Sequence, residues 1–146
     1  MKPIPIAEFK AGHVPLEQEE QAAVVQWLRT CRPDIHFFAV PNGGKRHPKT
    51  ARALKAAGVS AGVPDLCFPH PRATWHGFYL EMKRRKGGRV DPDQQVWIDF
   101  LKGQNYCVGV AYGADEARQF IESYFKLGPF QGRNHADRSG EDLPVD

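Results

Sequence analysis

Gly62-Val63-Pro64-Asp65-Leu66-Cys67-Phe68 and Phe78-Tyr79-Leu80-Glu81-Met82-Lys83 decide the fold. Val63 to Phe68 reads as a strand that Pro69-His70-Pro71 closes. Phe78 to Lys83 alternates cleanly. Phe78, Leu80 and Met82 fall on one face, and Tyr79, Glu81 and Lys83 on the other. The segment Pro69 to His76 between them is the turn region. A symmetric hairpin centred on Ala73 sets Asp65 directly opposite Glu81, with Cβ atoms about 5 Å apart. Like charges so placed destabilise a sheet unless a cation lies between them. Oxygen ligands on adjacent strands suit a hard divalent ion such as Mg2+. Lys83, two residues past Glu81, shares its face. An ammonium there can orient or deprotonate water and offset phosphate charge.

Working outward, Glu17 to Cys31 shows helical spacing. Val24, Leu28 and Cys31 form a stripe that Val25 and Trp27 widen, and Pro33 ends the helix. Ile35 to Val40 is a short strand. Pro48 opens a helix that runs to Ala57, with Gly58 as its stop. Asp91-Pro92-Asp93-Gln94 is a clear helix start: Asp91 caps, Pro92 suits the first helical position, and Gln94 has capping-box spacing. That helix runs to Gly103. Tyr106 to Tyr112 is a last strand. Asp115 to Leu127 is a last helix with Ala117, Phe120, Ile121 and Tyr124 as its core face. The order α-β-α-β-β-α-β-α predicts an α/β fold, a mixed β-sheet flanked by helices in a single domain. Residues 1–15 read as an N-terminal arm, 16–128 as the domain, and 129–146 as a disordered tail.

The chain has 146 residues and a net charge of +3, unevenly spread. Between Ile35 and Val90 stand eleven bases and two acids, Asp65 and Glu81, a balance of +9. The rest carries nine bases and fifteen acids, a balance of −6. A basic middle with acidic ends points to a polyanion partner, against the plainer reading of a solvated cationic face. Cys31, Cys67 and Cys107 are odd in number and widely spaced, which argues against a disulfide framework or a zinc cluster and for small buried hydrophobes in a reducing, cytoplasmic setting. No stretch reaches the roughly 18 apolar residues of a membrane span, and Met1 to Pro15 has no secretory apolar core. Alone, a Glu-x-Lys triplet reads as a surface ion pair and Pro-Asp as a turn. Together, inside an otherwise acid-free basic segment, they read as a site.

These pieces, in order, resemble the VRR-NUC family of the PD-(D/E)XK nuclease superfamily, found in phages, bacteria and eukaryotic DNA-repair nucleases. The matching pieces are Glu20-Gln21 opening a helix that ends in Trp27-Leu28, Pro41-Asn42-Gly43-Gly44-Lys45-Arg46, Ala61-Gly62-Val63-Pro64-Asp65, Glu81-Met82-Lys83, and Gly87-Gly88-Arg89 before Pro92-Asp93-Gln94. The likeness covers about residues 17 to 125, with no departure at the core positions. It implies a restriction-endonuclease-like fold and an Mg2+- or Mn2+-dependent DNA endonuclease. Asp65, Glu81, Lys83 and Gln94 would be its catalytic residues. Asp65 and Glu81 would hold the metal with the Met82 carbonyl and a glutamate of the first helix.

Glu17, Glu19 and Glu20 are the candidates for that glutamate. Glu20 shares a face with Val24, Trp27 and Cys31 and is preferred. Glu17, one turn earlier, is the reserve, and Glu19 faces the wetter side. The plainer account of all three is the helix dipole, which favours acids in a first turn. Gln94 has a capping account of its own, and the resemblance adds a role in holding Lys83 or a phosphate. Asn42, Lys45, Arg46, Arg84, Arg85 and Lys86 would track a DNA backbone. Little surface remains for base readout, so structure-selective cutting is expected, as in Holliday-junction resolvases or on other branched DNA, with a homodimer to suit it. The alternative is a non-catalytic DNA-binding module on the same fold. Its signature would be loss of Asp65, Glu81 or Lys83, and all three are present.

Overall fold

The computed structural model describes residues 12–41 and 47–132. Helix α1 (Glu17–Cys31) leads to β1 (Phe38–Ala39), α2 (Pro48–Ala56), β2 (Leu66–Phe68), β3 (Phe78–Lys83), α3 (Pro92–Gly103), β4 (Cys107–Tyr112) and α4 (Ala114–Phe125). The sheet has the order β1-β2-β3-β4. The β1/β2 and β2/β3 pairs are antiparallel, and the β3/β4 pair is parallel. A parallel pair needs a crossover, and α3 provides it. The result is the expected mixed sheet flanked by helices.

The β2–β3 hairpin has the expected register. Leu66 pairs with Leu80, Cys67 with Tyr79 and Phe68 with Phe78, symmetric about Ala73. Two strands are shorter than their apolar runs. Pro64 and Pro69 bracket β2, and a proline has no N–H for the ladder. With so short a partner, β1 shrinks to two residues. Beside it, His36 N donates to His70 Nε2 (2.8 Å) and Val40 N to the Asp65 carbonyl (2.8 Å).

Phe78, Leu80 and Met82 face α1 and α4. They pack with Ala23, Val24, Trp27 and Leu28 of α1 and Ala117, Ile121 and Tyr124 of α4. Each large apolar side chain removed from water there stabilises the fold by roughly 1.5–3 kcal/mol. Phe120, expected in that face, is 38% exposed. It lies one residue before Ile121, and the stripe of a helix against one sheet is narrow enough to leave it outside.

Helix α2 differs from the other three. None of its residues is buried. Among the described residues no other helix or strand packs against it. It is capped by His47, whose Nδ1 accepts from Lys49 N (3.2 Å).

The segment expected as a disordered tail starts in contact with the domain. Gln131 N donates to the Ala73 carbonyl (2.7 Å), and the Phe130 ring lies 5.8 Å from that of His76. Most of the N-terminal arm, the rest of the tail, and Asn42, Lys45 and Arg46 lie outside the described residues. No described helix is long and apolar enough to cross a membrane.

Candidate active site

Alternation sends Glu81 and Lys83 to the face opposite the α1/α4 core, and both are buried. Asp65, just ahead of β2, is buried beside them, and its Oδ2 accepts from Met82 N (2.8 Å). The side chain of Met82 belongs to the core. The first turn of α1 adds Glu17. One carboxylate oxygen from each of Glu17, Asp65 and Glu81 lies within 4.8 Å of the other two. Lys83 Nζ is 3.2 Å from Glu81 Oε1 and 4.0 Å from Glu17 Oε2.

Gln94 ties this cluster to α3. Its Oε1 accepts from Lys83 Nζ (2.8 Å) and from Asp91 N (2.9 Å), and its Nε2 donates to Glu81 Oε1 (2.7 Å). Asp91 Oδ1 accepts from Gln94 N (3.0 Å), which completes the capping box. The capping role and the link to Lys83 are therefore both real and share one amide. Gly62 lets this helix start come close. It has φ +90°, and a Cβ there would stand 2.6 Å from the Asp93 carbonyl group. Only glycine meets both conditions without strain.

The electrostatics are those of crowded acids. Burial pushes the Asp65 carboxyl up to about 6, against the Met82 N–H that favours its charge and with Glu17 adding repulsion. Burial and then the neighbouring Asp65 push Glu81 up to about 8, although Lys83 pulls the other way. Glu81 Oε2 is buried with no hydrogen-bond partner. A buried carboxylate oxygen with nothing to bond costs several kcal/mol in the ionised form. Three carboxylates around such an oxygen form a donor set that fits a hard divalent cation.

Glu20 is not part of this cluster, contrary to expectation. It is fully buried, and both its oxygens are used elsewhere. Oε1 accepts from Arg85 Nε (2.6 Å) and Oε2 from Ala114 N (2.5 Å), the first N–H of α4. A carboxylate at a helix N-terminus is stabilised by the dipole, and here it also joins α1, α4 and the end of β3. Glu19 caps its own helix by accepting from Leu16 N (2.6 Å).

The basic run after Lys83 divides as well. Arg84 donates to the carbonyls of Val14 and Pro15, both at 3.1 Å, and Arg85 holds Glu20, so the chain itself engages two expected phosphate contacts. Lys86 is exposed. Nothing in the sequence signalled the Arg84 and Arg85 pairings, which join segments about 70 residues apart.

The model of the VRR-NUC domain family matches residues 11–115. A solved structure described as a VRR_NUC domain protein is 30% identical, with 82% of this chain and 96% of that chain covered and a TM-score of 0.69. No curated protein sequence matches the chain. The matched region contains the hairpin, the carboxylate cluster and Gln94, and the chain belongs to the VRR-NUC domain family, a family of nuclease domains.

Proposed function

We propose that this chain is a metal-dependent DNA nuclease that hydrolyses phosphodiester bonds at the Asp65–Glu81–Lys83 cluster. The observation that carries this reading is the buried, unpartnered Glu81 Oε2 among three converging carboxylates. Glu17, Asp65 and Glu81, with the Met82 carbonyl, would hold Mg2+ or Mn2+. When bound, such an ion would act as a Lewis acid on the phosphate and make water a better nucleophile.

The chain's own groups do the positioning. An ammonium has three donors. Gln94 and Glu81 take two from Lys83, which leaves one for a water molecule or a phosphate oxygen. Gln94 fixes that direction, because its amide is itself fixed by the capped start of α3. A lysine so held stabilises charge where it develops on phosphorus and needs no reorganisation during reaction. The basic balance of the central segment favours a nucleic-acid backbone as substrate. A preference for branched DNA and a homodimeric form remain part of the proposal.

The test is cleavage of a panel of branched and linear DNAs, each with Mg2+, with Mn2+ and with chelator. Metal-dependent cleavage, strongest on branched substrates, is the expected result. Binding without cleavage under every condition would instead make the chain a DNA-binding module.

A further inference from the structure

We propose that helix α2 is a second DNA contact, a basic helix that holds the phosphate backbone of duplex flanking the cut. This rests on the nuclease reading and extends it to residues outside the cluster. Helix α2 reads Pro48-Lys49-Thr50-Ala51-Arg52-Ala53-Leu54-Lys55-Ala56. It carries three cations and no acid, and Lys49, Arg52 and Lys55 are all exposed. Their spacing of three residues keeps them along one side of the helix, about 4.5 Å apart along the axis.

A helix of nine residues is marginal on its own, since isolated helices need roughly 12–15 residues to hold in water. In this chain most helical stability would come from packing, and α2 packs against no other element among the described residues. Like charges three residues apart weaken it further. A polyanion along the cationic side supplies what the fold does not: it neutralises the repulsion and gives the helix a partner.

The placement of α2 selects which polyanion. The helix lies in the connection between β1 and β2, between Val40 just past β1 and Gly62 ahead of β2. Val40 N is bonded to the Asp65 carbonyl, and Gly62 is pressed against Asp93 at the start of α3, next to Gln94. Both roots of the connection are therefore fixed at the catalytic cluster. Lys55 is seven residues from Gly62. Seven residues span at most about 24 Å. At roughly 3.4 Å of rise per nucleotide, that reach from Gly62 is the length of about seven nucleotides of a bound strand. A substrate seated at Glu81 thus brings its own backbone within reach of α2, and no other polyanion is delivered to that place by the reaction itself.

The experiment measures binding without cleavage, in chelator, using the full chain and a labelled DNA duplex of about 20 base pairs across a salt series. The variant carries Lys49→Gln, Arg52→Gln and Lys55→Gln together, and glutamine keeps helix propensity. The control carries Lys102→Gln and Lys126→Gln, exposed cations on other elements. The triple variant is expected to bind about tenfold more weakly, with the slope of log affinity against log salt shallower by about 2–3. The control should move little, and melting temperatures should be unchanged. A triple variant that matches wild type, or a control that weakens as much, overturns the assignment to α2 while wild-type binding keeps the nuclease reading intact. Wild-type chain that binds no duplex overturns the assignment to α2, and the nuclease reading then stands or falls on the cleavage panel. Unchanged DNA binding with lost self-association in sedimentation would give the helix to a second copy of the chain and overturn the proposal.

Discussion

Two buried carboxylates, Glu20 and Glu81, lie in the same small domain and have opposite surroundings. Both oxygens of Glu20 are taken, one by Arg85 and one by the first N–H of α4. Glu81 has one oxygen shared by Lys83 and Gln94 and one with no partner, beside two further acids. Burial alone thus does not distinguish an acid whose oxygens the fold satisfies from one it leaves partly unsatisfied. What distinguishes them is whether the protein completes the hydrogen-bonding capacity of the group or leaves part of it for something else.

The largest expected effect breaks the contrast at Glu81. Glu81→Gln keeps size and removes charge, so steady-state cleavage should fall by on the order of 10³-fold while circular dichroism stays native. Near-wild-type turnover by the folded variant would remove the catalytic assignment. Glu20→Gln, by contrast, should keep turnover per folded molecule.

The next effect sharpens the contrast through stability. A cation that binds only the folded state at about 100 times its dissociation constant adds about 2.7 kcal/mol. For a domain of this size that raises the melting temperature by roughly 10 °C. Wild type and Glu20→Gln should show this shift with Mn2+ or Mg2+ against chelator, and Glu81→Gln should largely lose it. The pH dependence in chelator has a definite sign. Asp65 and Glu81 hold their protons up to about 6 and about 8 in the folded chain, above their ordinary values of 3.8 and 4.5. Between those limits these two groups hold more protons in the folded state than in the unfolded one, so their contribution to metal-free stability falls as pH rises from about 4 to 8, opposite in sign to that of His70, whose pKa burial lowers. Asp65→Asn should flatten that fall. A pH dependence of the metal-free melting temperature that is the same in wild type and Asp65→Asn would contradict the crowding of the carboxylates.

Glu20→Gln itself should cost about 1–3 kcal/mol, because it weakens the hold on Arg85 and on α4. Chemical denaturation measures this, and a neutral result would show that the pair is dispensable. The smallest effect is Glu17→Gln. Its side chain is 42% exposed, so solvent shares its charge, and metal affinity should drop by about tenfold with little change in stability. Calorimetric titration compares it with Glu20→Gln, which should bind metal like wild type.

These contrasts also explain what the sequence could and could not reveal. The alternation of Phe78 to Lys83 and the Asp91-Pro92 helix start are local signals, and their element bounds were legible. So was the hairpin register, because a symmetric turn and a period of two leave little freedom. The choice between Glu17 and Glu20 was not legible. Helical periodicity assigns a face but not a height along the axis, and both acids share the face. The decision lies with Arg85 and the start of α4, which are distant in sequence. The same holds for Arg84 and Arg85. A run of charges reads as a phosphate track until its partners are known, and those partners are backbone carbonyls and a glutamate near the other end of the chain. The shortness of β1 follows from prolines that flank a neighbouring strand rather than from its own residues.

The shared amide of Gln94 has a consequence for synthesis. A chain emerging from the ribosome presents Glu17, Asp65 and Glu81 before residue 94 has been made. Lys83 has Glu81 as a partner but lacks Gln94 until the first turn of α3 closes its capping box, because one side chain does both jobs. The proposed site therefore cannot take its final form ahead of the helix that follows it, and a chain ending before α3 is expected to cleave no DNA.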